Sequence, residues 1–205
     1  VLRGKHHIRN ATYSHKSGTD FVPASIALKD LKNINLSNLT KQIIYLKKDN
    51  DIVIIDGAAG LGRETEATIK ASDEIIILTN PELPHLTDAL KTIKLCKQMK
   101  KTVLGVVVNK TNAKNPDIPL KDIEEILEVP IIGIIPEDRA IKYSQAKRES
   151  VMDTHPTAAS STQYRNLAAN ILELDYVEKI KTPNLIQGIL KFFNLKWHLN
   201  KLWQP

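Results

Sequence analysis

Asp56 stands directly after the apolar run IVII at 52–55 and is followed by Gly57, Gly60 and Gly62 in the stretch DNDIVIIDGAAGLG. A carboxylate at the end of such a run can hold a magnesium ion through water, and glycines let a loop follow a phosphate closely. The same residue can instead cap the next helix, and spacing alone does not separate the two readings. Three further junctions carry chemistry of their own. The stretch TNPE, Thr79 to Glu82, has the residues of a turn and a helix start. In GVVVNK the side-chain amide of Asn109 both donates and accepts hydrogen bonds, as the edge of a nucleobase requires, with a plain turn Asn as the alternative. In GIIPED the Pro136 backbone and Glu137 would come to the same rim.

A second kind of chemistry lies at the other end of the chain. Wound as a helix at about 100° per residue, the stretch 184–203 gathers Leu185, Ile186, Ile189, Leu190, Phe193, Trp197 and Trp203 on one broad face. Gln187, Lys191, Asn194, His198 and Lys201 fall opposite. An apolar face, a cationic strip and two tryptophans without an acid describe a helix that lies reversibly in the headgroup region of an anionic membrane. The alternative is an amphipathic helix docked on its own domain. The lysines at 179, 181, 191, 196 and 201 carry five of the net charge of +6, so the body before them is near neutral. That balance argues against nucleic acid as a partner.

The elements that must position these residues follow from the apolar pattern. Near-continuous, β-branched runs at 52–55, 74–78 and 103–108 read as strands buried on both faces, the mark of a parallel sheet. Helical stretches at 64–71 and 85–100 have the length of crossovers between them. A helix at 120–127, a strand at 131–135 between Pro130 and Pro136, a helix from Ala140 and a closing helix at 162–179 complete the alternation. A short strand is expected at 19–23, and an interrupted helical pattern at 27–47. The fold class is therefore α/β, a doubly wound and mostly parallel sheet with helices on both faces. In such sheets ligands bind beyond the carboxyl ends of the strands, where all four junctions lie.

The chain is expected to divide into a polar segment at 1–17, a loop or the remnant of something larger, an α/β domain at 18–180 and a basic amphipathic helix at 181–205. His6, His7 and His15 in the first segment read as solvated loop residues rather than metal ligands. A single cysteine, Cys96, allows no intramolecular disulfide and fits a reducing cytoplasm. No signal peptide and no apolar run of about 20 residues occurs, so the chain is expected neither to cross a membrane nor to be exported.

Taken together, DGAAG, TNPE, VVNK and IIGIIPED stand in the order and approximate spacing of the MinD/ParA family of P-loop ATPases, nearest its archaeal MinD-like members. The stretch FVPAS at 21–25 resembles a strand of the same domains, and the resemblance covers roughly 18–175. It implies that Asp56 is the Walker B acid near magnesium and Gly60 the switch glycine sensing the γ-phosphate. It also implies that Asn109 reads adenine while Pro136 and Glu137 line the base pocket. ATP and magnesium are the implied cofactors, and a homodimer in the ATP state, an anionic membrane and an unidentified regulator the implied partners. The expected location is the cytoplasm, peripheral on the cytoplasmic face of the cell membrane.

The sequence departs from the family pattern in one respect that governs activity. No G-x-x-x-x-G-K-[ST] pattern occurs in the 205 residues, which are expected to begin downstream of it. That loop supplies the N–H groups and lysines that neutralise the β- and γ-phosphates, so this chain is expected not to be catalytic alone. The leading function is a partial MinD-like ATPase that regulates division or spatial positioning from the membrane. The competing readings are a ParA-type partition ATPase, a non-catalytic membrane-binding remnant, and an iron–sulfur carrier, for which one cysteine without a C-x-x-C partner is unsuited.

Overall fold

An apolar run becomes a strand only when a neighbour pairs its backbone, and this chain supplies neighbours to some of its runs and not to others. The computed structural model describes residues 1–25, 34–112 and 118–174. They fall into two compact units, one of Val1–Ile75 with Leu95–Thr102 and the other of Ile76–Lys94 with the residues from Val103 on. The expected helix at 184–203 lies outside the described residues. So do Ile186, Ile189, Leu190, Lys191, Phe193, Trp197, Lys201 and Trp203.

In the first unit, the segment read as a polar loop holds more order than its composition suggests. A 3-10 turn at Ile8–Ala11 buries Ile8, whose N–H donates to Gln42 Oε1 at 3.1 Å. Strands β1 (Tyr13–Ser14) and β2 (Asp20–Phe21) pair antiparallel, with Tyr13 stacked on Phe21 at 5.8 Å between ring centroids. Helix α1 (Asn38–Asp49) packs against α2 (Arg63–Ala71), which buries Thr65, Ile69 and Ala71. The carbonyls at the end of α2 are met by a cation, since Lys101 Nζ donates to Lys70 O at 3.0 Å and to Ser72 O at 2.5 Å. A cation at a helix C-terminus is favourable for both its hydrogen bonds and the dipole.

The expected strand at 52–55 is not one. Residues 52–58 carry no regular structure, and Ile54 is 90% exposed although its sequence reads as core. Among the described residues no strand pairs with this run, so its apolar side chains have no second layer to enter.

The second unit holds most of the sheet, with β3 (Glu74–Thr79), β4 (Thr102–Thr111) and β5 (Ile131–Pro136) in that spatial order. β4 and β5 run parallel, pairing Val106 with Ile131 and Thr111 with Pro136. Helix α3 (Leu83–Gln98) connects β3 to β4 and buries Leu86, Ala89, Ile93 and Cys96, a spacing of three and four that puts one face inward. Helix α4 (Leu120–Leu127) buries Ile123 and Leu127 one turn apart and ends on Glu128 in a left-handed conformation. Then come α5 (Arg139–Ala146), the single turn α6 (Val151–Thr154) and α7 (Ala159–Ile171), which packs along β5. The core there is Val107, Ile132 and Ile135, with Leu104 and Leu167 against it.

β4 alone of the long runs has a stretch buried throughout, Val106 to Val108. β3 alternates instead, with Ile77 buried but Ile76 and Leu78 exposed, so the expectation of burial on both faces holds for β4 and fails for β3. Among the described strands β4 lies between two neighbours, whereas β3 lies at one edge and β5 at the other. The result is a parallel α/β fold in which the ends of β3, β4 and β5 carry three of the four junctions, while Asp56 follows no strand.

Candidate functional site

In the first unit, Asp56 is exposed and takes no hydrogen bond or ion pair from the described residues. It does not cap the following helix, because α2 starts at Arg63 with Gly62 at its cap. The loop between them is held by one tie, the Thr65 hydroxyl donating to Ala58 O at 3.2 Å. Gly60 lies in this loop at φ +87°, a left-handed conformation that glycine adopts without steric cost. A Cβ at Gly60 would meet nothing within 4 Å, so backbone conformation rather than space calls for glycine there.

In the second unit, the carboxyl ends of β4 and β5 are stitched together. Asn109 lies inside β4 rather than in a turn, half-buried, and its side chain takes no hydrogen bond from the described residues. The parallel register slips between Val108 and Thr111, and Lys110 between them has φ +53°. A bulge with a left-handed non-glycine residue re-aims side chains at the end of a strand, and such features gather at functional sites. Beyond the slip, the Thr111 hydroxyl donates to Ile135 O at 3.3 Å and the Glu137 N–H donates to Thr111 O at 3.0 Å. Pro136 sits opposite Thr111 in the register, so Asn109, Pro136 and Glu137 all lie at the ends of two adjacent strands.

Two carboxylates follow Pro136 and behave differently. Glu137 is exposed, and its carboxyl is held below its usual range by the Lys142 ammonium at 3.0 Å, with Lys110 adding a weaker pull. Asp138 caps α5 through Ala140 N–H at 2.9 Å and reaches α7 as well, accepting from Ser160 N–H at 3.1 Å and Ser160 Oγ at 2.9 Å. Burial alone would raise its pKa. The three hydrogen bonds and nearby His155 outweigh that, and the net shift is downward. Asp138 is not among the residues expected at the site, although an Asp two residues before a helical Ala140 is an N-cap signal. Nothing in the sequence announces its second partner, 22 residues away.

Away from the strand ends three of the groups singled out in the sequence have structural surroundings. His7 caps the first 3-10 turn and packs edge-on to Tyr45, and His15 bonds Ser17 within its own turn. Cys96 is buried, and that burial pushes its thiol pKa up. Among the described residues no three His, Cys, Asp or Glu side chains gather into a metal site. No described helix is long and apolar enough to cross a membrane.

In open, mostly parallel α/β sheets ligands bind beyond the carboxyl ends of the strands, which is where Asn109, Pro136 and Glu137 lie. A family model described as an AAA domain matches residues 10–145. An uncharacterized ATP-binding protein of Methanocaldococcus jannaschii is 30% identical over 181 residues, covering 88% of this chain and 69% of the relative. The cell division ATPase MinD of Pyrococcus furiosus superposes with a TM-score of 0.79 at 26% identity, over 84% of this chain and 73% of that one. The septum site-determining protein MinD of Pyrococcus horikoshii, complexed with Mg-ADP, gives 0.78 at 24% identity over 83% and 70%. This chain belongs to the MinD/ParA family of P-loop ATPases.

Proposed function

We propose that this chain acts as a MinD-like regulator of cell division or spatial positioning, taking the adenine end of ATP at the β4–β5 rim and associating reversibly with the membrane. The observation that carries the reading is the stitched rim. Asn109 offers a donor and an acceptor beside Pro136 and Glu137, on strand ends tied by the Thr111 hydrogen bonds. The relatives named above, an ATP-binding protein and a MinD complexed with Mg-ADP, favour a nucleotide as the ligand.

The residues present fit part of that ligand. Magnesium is commonly held by one or two carboxylates together with substrate phosphates, and an exposed Asp56 with no partner among the described residues suits that role. Gly60 in its left-handed loop suits close approach of a phosphate. The triphosphate itself is not matched, because the 205 residues contain no glycine-rich loop with lysine to neutralise it. These residues therefore bind and orient without the groups that stabilise charge on a transferring phosphoryl group, and the chain alone does not hydrolyse ATP.

Phosphate release by the purified chain, with ATP and magnesium, tests this directly. The expected rate equals that of Asp56→Ala and of buffer. Hydrolysis that disappears in Asp56→Ala overturns the reading. The resemblance further supports a homodimer in the ATP state and a membrane-directed helix at 181–205 as parts of the same proposal.

A further inference from the structure

Asp138 does more than close one helix. One carboxylate oxygen accepts from the Ala140 N–H of α5 and the other from both the N–H and hydroxyl of Ser160 in α7. Ser160 is fully buried, and α7 packs along β5, with Leu167 so close over Gly133 that an added Cβ would come within 2.9 Å of it. The backbone of Asp138 directly continues Pro136 and Glu137 out of β5. Its side chain thus pins the exit of β5 to the amino ends of two helices, on the opposite side of Glu137 from the Thr111 tie. A negative charge at two helix N-termini is favoured by both dipoles, which makes the pin stiff at neutral pH.

We infer that Asp138 is a positioning residue that sets which nucleobase the β4–β5 rim accepts, by holding Pro136 and Glu137 at a fixed offset from Asn109. The inference rests on the proposal that this rim takes a nucleobase. Asn109 discriminates only if Pro136 and Glu137 hold the base edge in register with its amide, and a drift of about 1 Å is enough to lose a hydrogen bond. Two oxygens satisfy three donors here, and no neutral side chain of this length does the same. In Asp138→Asn one acceptor remains, and the amide NH2 would face a donor.

The experiment is a calorimetric titration of the full chain with adenosine and with inosine, which differ at the base edge alone. The parent chain is expected to prefer adenosine. Asp138→Ala is expected to lower that preference about tenfold, about 1.4 kcal/mol, and Asp138→Asn to fall between the two. Ser150→Ala is the control, since it removes the cap of α6, where Ser150 Oγ accepts from Met152 N–H at 3.1 Å, and leaves the rim untouched. Its selectivity is expected to stay at the parent's value even where its melting temperature falls. Should Asp138→Ala fail to fold, Asp138→Asn alone decides. Equal weakening for both nucleosides, or an unchanged preference, overturns the positioning role and leaves the nucleobase site standing. A parent chain that binds neither nucleoside, or binds them equally, overturns the role too, and binding neither also sinks the nucleobase site.

Discussion

Gly105 shows how tightly single residues are constrained in the strand that carries Asn109. A Cβ built there would lie 2.5 Å from Pro130 O and 2.5 Å from Ile132 Cγ2, distances no side-chain carbon occupies. The same Pro130 carbonyl accepts from Val106 N–H at 2.8 Å, so it cannot retreat without losing a bond at the start of the β4–β5 pairing. Gly105→Ala is therefore expected to destabilise by about 1 to 3 kcal/mol, the range for overpacking a filled site. In a domain of this size that corresponds to a fall of roughly 2 to 12 °C in melting temperature. A thermal unfolding curve that superposes on the parent's would refute the close approach. The sequence displays this glycine inside an apolar run but not its reason, since the clash is with a residue 25 positions on, beyond the span of any local pattern. Asp138 divides the same way, its cap to Ala140 being local and its hold on Ser160 distant.

At the scale of elements, periodicity located those that have partners. The runs at 74–78, 103–108 and 131–135 became Glu74–Thr79, Thr102–Thr111 and Ile131–Pro136, each within a few residues of its expected ends. The run at 52–55 has the same composition and forms no strand, because an apolar pattern reports what a strand needs and not whether a neighbour exists. The closing helix begins at Ala159 rather than Thr162, and Ser160, Ser161, Thr162 and Gln163 are all buried there. Polar residues buried through hydrogen bonds are invisible to a hydrophobic count, which places the helix start too late. The basic amphipathic stretch at 184–203 is an element of the proposal with its own test. The full chain is expected to sediment with vesicles containing anionic lipid. Trp197→Glu is expected to abolish this, and Lys191→Gln and Lys201→Gln to weaken it roughly fivefold each, at about 1 kcal/mol per lysine. Equal sedimentation of the parent and Trp197→Glu chains would rule out membrane targeting by this segment.

At the scale of the whole 205 residues, the proposal gives unequal means of holding the two ends of a nucleotide. In the proposal the ends of β4 and β5 meet the base, whereas no glycine-rich loop with lysine for the phosphates occurs in these 205 residues. Binding energy should then come from the nucleoside, with little added by the charged end of the ligand. In a complete P-loop site the reverse holds, because backbone N–H groups and lysine act on the phosphates at close range. The most direct measurement is a competition titration of the full chain with adenosine and with ATP in the presence of magnesium. Affinities within about tenfold of one another, a difference under about 1.4 kcal/mol, are the predicted result. A preference for ATP of a thousandfold or more, or no binding of either, would contradict the account.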